Sequence, residues 1–140
     1  MPKRSIIMMV SVLAALLVLG GCAALSGGTQ KETADQAYKV LRAGAIFYAE
    51  ALGAAADLYL LGLIDEGQKQ EVIKVGDRYR VAWQAAANAL HVYAVAEVPD
   101  RAGLEQQLTL FRLVYEELTD LARPYLIRAL AKKQEAAHGR

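Results

Sequence analysis

The sequence predicts an all-α fold, an antiparallel three-helix bundle, and three observations carry that expectation. Apolar residues recur at steps of three and four along three long stretches. Capping or breaking residues bound each stretch. Alanine, the strongest helix former, is abundant, and beyond Pro2 the only prolines are Pro99 and Pro124.

The first stretch opens near Glu32 or Ala34, where Thr33 and Gln36 have capping-box spacing, and runs to Leu61. Its stripe is Ala37, Leu41, Gly44, Tyr48, Ala51, Ala55 and Leu58, widened by Val40, Phe47 and Leu52. Gly62 is placed to take the left-handed conformation just past the end, letting Leu63 fold back on Leu58. Asp65 and Gln68 repeat the capping-box pattern and open the second stretch, which reaches about Glu97. Val72, Gly76, Tyr79, Trp83, Ala86, Leu90 and Tyr93 form its seam, alternating steps of four and three as in a coiled coil. Val98-Pro99-Asp100 breaks it: proline disfavours a helical Val98, and Asp100 can cap the third stretch.

That third stretch has the most regular stripe: Leu104, Leu108, Phe111, Tyr115, Leu118, Ala122, Tyr125 and Ala129, with Leu121 and Leu126 beside it. Pro124 falls inside, where it removes one backbone hydrogen bond and crowds the Asp120 carbonyl. A kink is expected there, then a short segment to Lys133. The sequence thus divides into residues 1–21, a tether over 22–31, a bundle over 32–133 and a frayed tail over 134–140. Three such helices with short loops pack up-down-up.

Residues 1–21 have a different character. Lys3 and Arg4 precede an apolar run from Ile6 to Leu19, which is 14 residues and shorter than the ~20 a spanning helix needs. A basic head before a short apolar run is the pattern of a secretory signal peptide. The run ends in Leu19-Gly20-Gly21-Cys22. This resembles the lipobox of bacterial lipoproteins: an aliphatic residue, two small residues, then a cysteine. The resemblance covers residues 1–22 and implies cleavage before Cys22, with a diacylglyceryl group on its sulfur. Membrane lipid is then the first partner, and the bundle faces the extracytoplasmic side. In lipoproteins of two-membrane bacteria, Asp after the cysteine commonly retains the protein in the inner membrane; Ala23 stands here, so the resemblance implies outer-membrane sorting in such a host.

The full chain has 16 Lys and Arg against 15 Asp and Glu. Lys3 and Arg4 leave with the signal, so the remaining 119 residues carry 14 basic and 15 acidic side chains, formally −1. Nucleic acid binding calls for a basic face and is disfavoured. A single cysteine excludes an internal disulfide. Neither His91 nor His138 has a metal ligand at i±4, so no metal site of ordinary spacing can be drawn. Beyond the tether there is no serine, and Gly27-Gly28 lacks the lysine of a phosphate loop. The expectation is a non-enzyme without cofactor.

Seven tyrosines stand against two phenylalanines. Each hydroxyl wants water or a hydrogen bond, so one reading has the rings closing the core while the hydroxyls emerge at its rim. The other is a tyrosine-rich partner or ligand surface built from Tyr79, Trp83 and Tyr115, with Arg123 as a polar anchor. Leu60, Leu63, Ile73, Val75, Leu110 and Leu113 exceed what three narrow stripes require, which raises self-association or a protein partner. Function at this level is a membrane-anchored, protein-binding or envelope-structural lipoprotein. A carrier of an apolar ligand between tyrosine-rich helices is the first alternative, a membrane-perturbing small lipoprotein the second.

Overall fold

A computed structural model describes residues 28–139. The expected signal peptide, Cys22 and most of the tether lie outside the described residues. Three helices make up the fold: α1 (Gln30–Leu60), α2 (Glu66–Val95) and α3 (Arg101–His138).

The helix ends obey local chemistry. α1 begins a turn earlier than expected, with Thr29 rather than Thr33 at the cap: the Thr29 Oγ1 accepts from the Glu32 amide at 3.2 Å, and the Glu32 carboxylate accepts from the Thr29 amide at 2.9 Å. Thr29-x-x-Glu32 satisfies the same rule as Thr33-x-x-Gln36, and the longer helix gains a tertiary partner for Gln30. Thr33 becomes a buried helical residue. At the other end, Gly62 takes φ +67°. Its amide donates to the Tyr59 carbonyl and that of Leu63 to the Leu58 carbonyl, both at 2.9 Å, the paired bonds of a Schellman stop. Asp65 and Gln68 form the expected box on α2. Asp100 caps α3 by accepting from the Gly103 amide at 2.9 Å.

Two further boundaries differ from expectation. α2 stops at Val95, because Ala96 already has extended backbone before the Val98-Pro99 step. α3 passes through Pro124 and continues to His138, so residues 134–138 are helical rather than frayed. Nothing breaks the run before Gly139, Ala136 and Ala137 favour helix, and Lys132 pairs with Glu135 at 2.7 Å.

Contacts between helices establish the up-down-up order. The Gln30 side chain, at the start of α1, donates to carbonyls of Tyr93 and Ala96 at the end of α2. Arg78 of α2 pairs with Glu117 of α3. Leu58, Ile64, Val72, Tyr125 and Ala129 share one cluster at the opposite end. All eight residues of the α3 stripe are buried.

Two glycines set the interhelical distance. A Cβ built on Gly44 would lie 2.5 Å from the Tyr79 Oη and 2.6 Å from Cζ of Phe111. One on Gly76 would lie 3.2 Å from Leu52 Cδ2 and 3.4 Å from Tyr48 Cε2. Each of α1 and α2 thus provides a notch for side chains of its neighbours. Gly53, on the outer side of α1, has nothing within 4 Å of such a Cβ.

Gly44→Ala is therefore expected to destabilise the fold by about 1–3 kcal/mol, the usual cost of overpacking. Gly53→Ala, in the same helix, should instead stabilise it by roughly 0.5–1 kcal/mol. Denaturant titration of both variants checks the pair; equal effects would contradict the notch.

Candidate functional site

The aromatic residues of the three seams meet at the middle of the bundle. Tyr79 is 1% exposed and Tyr115 is 3% exposed. The Tyr79 ring stacks on Tyr48 with centroids 5.4 Å apart and meets Phe111 edge-on at 5.2 Å. Tyr115 lies 4.9 Å from Phe47 and 6.1 Å from Tyr79, centroid to centroid. These spacings are ordinary for packed rings, so side chains occupy the space between them.

Tyr79 and Tyr115 are thus core residues rather than members of an open surface. The hydroxyl of Tyr79 does not emerge at the rim either: it is buried without a hydrogen-bond partner. The notch at Gly44 explains this. The ring is long enough to cross the core, and the missing methyl group leaves room for its oxygen against the α1 backbone. Burial pushes the Tyr79 phenol well above its ordinary value, with the neighbouring Tyr115 adding to the effect. Burial raises Tyr115 as well. Both stay neutral.

Trp83 is half-buried, and its indole N–H donates to the Leu41 carbonyl at 2.8 Å, tying α2 to α1. Arg123 is exposed and pairs with Asp120 at 3.2 Å. It stands eight residues beyond Tyr115, about 12 Å along the helix axis. The four residues expected to form a surface are not brought together on one.

An apolar surface exists elsewhere, on the outer side of the α2–α3 pair. The Arg78–Glu117 ion pair marks a level at which α2 and α3 lie side by side. Moving one turn from each partner brings Val81 level with Leu113, and a further turn brings Ala85 level with Leu110; steps of three and four keep these positions on the face that carries the ion pair. Val81 and Leu113 are mostly exposed, and Leu110 is about half exposed. Val92 and Val95 continue the outer side of α2 and are exposed too. Of the residues whose apolar excess was noted in the sequence, Leu60, Ile73, Leu110 and Leu113 are exposed, whereas Val75 is buried and Leu63 half-buried. The valines were legible only as a second stripe, Val81, Ala85, Val92 and Val95, in the same heptad steps as the core seam but rotated outward.

The histidines of the described residues lie apart, one on α2 and one at the end of α3. His91 is exposed, and the His138 Nδ1 lies 2.8 Å from the Gln134 carbonyl in the last turn of α3. Among the described residues no three His, Cys, Asp or Glu side chains are grouped to hold a metal ion. Among the same residues no helix is long and apolar enough to cross a membrane. A polar cluster flanks the α1–α2 turn. Glu66 accepts from Gln70 at 2.7 Å and pairs with Lys69 at 2.9 Å, while the Lys69 ammonium sits 3.7 Å above the Tyr59 ring centroid. Hydrogen bonds from Gln70, Lys69 and Tyr59 hold the Glu66 carboxyl down at about 2. Glu66 is also the first residue of α2, where a negative charge favours the helix dipole.

No protein-family model, curated protein or solved structure matches the chain.

Tyr79→Phe removes a hydroxyl whose burial without a partner costs ~1–3 kcal/mol, and is expected to raise stability by up to about 1 kcal/mol; a clear loss in denaturant titration would mean the hydroxyl is bonded. Glu66 has a lowered folded-state pKa, so its contribution is complete above the ordinary carboxylate range and is lost as pH falls toward about 2. Glu66→Gln should therefore be less stable than the parent at pH 7, with the gap closing over the acid range in melts at successive pH values.

Proposed function

We propose that the chain is a lipoprotein, anchored by acyl groups on Cys22, whose bundle binds a protein partner without catalysing a reaction. The observation that carries the binding role is the contrast between a centre filled by Phe47, Tyr48, Tyr79, Phe111 and Tyr115 and an outer α2–α3 face carrying Val81, Leu110 and Leu113. Filled space supports a partner at the surface over an apolar ligand inside. The shallow trough between two antiparallel helices suits an amphipathic helix, whose apolar stripe would complete a fourth side of the bundle. Arg78 and Glu117 at its edge would give such a helix polar contacts.

The lipobox supports the address. Anchoring by two or three chains is stable, at about 0.8 kcal/mol per buried methylene. Ala23 supports the outer membrane in a host with two membranes. A bend at Pro124 belongs to this reading as well: it would steer the exposed last turns of α3, with Arg128, Lys132 and Lys133, at the end far from the tether.

The anchor is tested by Cys22→Ser in the native host. The variant is expected to leave the membrane fraction or to keep its leader, whereas the parent should show the mass of an acylated chain cut before Cys22. An unmodified sulfur in the parent would remove the anchor. The face is tested by placing a photo-cross-linker at Leu113 and, as a control, at Lys39 on the exposed side of α1. A discrete cross-linked species from 113 that Val81→Glu abolishes is expected; identical patterns from both positions would remove the α2–α3 face as the binding surface.

A further inference from the structure

Among the described residues Val98 is the most exposed large apolar side chain, at 89%. It lies in the loop between α2 and α3, with Val95 also exposed at the last position of α2 and Pro99 beside it. An apolar side chain at a loop tip, away from any trough, gains nothing from the bundle itself.

The loop's position relative to the chain's start is determined. The Gln30 Nε2 donates to the Tyr93 carbonyl at 2.7 Å and to the Ala96 carbonyl at 3.0 Å, with the Ala94 carbonyl at 3.4 Å. One side chain in the first turn of α1 therefore holds the carbonyls at which α2 ends. Thr29 caps α1, and Cys22 precedes it by seven residues. Seven residues span at most ~25 Å when fully extended. Any surface that holds the Cys22 sulfur is thus within that distance of the end of the bundle carrying Val98. Leu60, the next most exposed apolar residue, caps the opposite end, some 46 Å away along a helix the length of α1.

We infer that the α2–α3 loop is a second, non-covalent contact with the lipid surface that holds the acyl chains, entered by Val95, Val98 and Pro99. This rests on acylation at Cys22. The neighbouring charges limit its depth and its lipid preference. The Asp100 carboxylate is turned inward to the Gly103 amide, and Arg101 is paired with Glu105 at 2.8 Å. Glu97, Glu32 and Asp35 remain at this end with Lys31. The end is therefore acidic and suits a surface of zwitterionic headgroups, with the valines at the headgroup boundary. The contact would fix which end of the bundle faces the membrane.

The test uses the full chain purified from its host and carrying Val98→Cys, or Leu60→Cys at the far end. Acylation blocks Cys22, so an environment-sensitive fluorophore attaches at one position. In phosphatidylcholine vesicles the probe at 98 is expected to emit at shorter wavelength and to be quenched by lipids bearing a shallow nitroxide. The probe at 60 should do neither, and added phosphatidylglycerol should weaken the response at 98. Intact mass separates the two ways of failing. An acylated chain whose probe at 98 behaves like that at 60 overturns the loop contact and leaves the anchor standing; a chain without acyl groups overturns both.

Discussion

The close approach of α1 to the aromatic side chains of α2 and α3 at Gly44 is the constraint on which the rest of the bundle depends. A glycine inside a helix costs roughly 1 kcal/mol relative to alanine. At Gly44 that cost is offset by admitting Tyr79 and Phe111 where a methyl group would stand. With Tyr79 seated there, its ring stacks on Tyr48, and Tyr115 fills in against Phe47. The ring can reach so far only by leaving its hydroxyl without a partner. Packing outweighs one polar atom, because aromatic pairs are each worth about 0.5–1.5 kcal/mol beyond the area they bury.

Helix lengths make this arrangement possible. Capping boxes at Thr29 and Asp65 and the stop at Gly62 place the α1–α2 turn so that Leu58, Ile64 and Val72 share a cluster with Tyr125. At the other end Gln30 gathers the terminal carbonyls of α2, groups that would otherwise lack partners within the helix. The Trp83 bond to Leu41 lies between these ends. α1 and α2 are thereby tied at three levels, and the register of the central aromatics has no freedom to slip.

Packed aromatic side chains occupy the centre, and the exposed apolar residues lie outside it. Val81, Leu110 and Leu113 lie exposed on two helices whose relative position the core sets. The proposed anchor and loop contact act at one end of the molecule, leaving this lateral face open to a partner.

Helix identity, the eight core positions of α3, the Asp65–Gln68 box and the Gly62 stop were all determined by the sequence, because capping and periodicity are local properties that need no third dimension. The competing boxes at Thr29 and Thr33 were not separable that way: both obey the same rule, and the choice turned on a bond from Gln30 to residues 63 and 66 positions further along the chain. The same holds for Tyr79, whose spacing placed it on the seam but whose hydroxyl found its place through a notch on another helix. Whether an apolar residue in a helix is core or surface depends on how far its stripe is rotated from the neighbours. Val75, beside the seam, is buried and Val81, on the far side of α2, is exposed, whereas the width of the buried stripe at positions such as Ile73 is settled by packing.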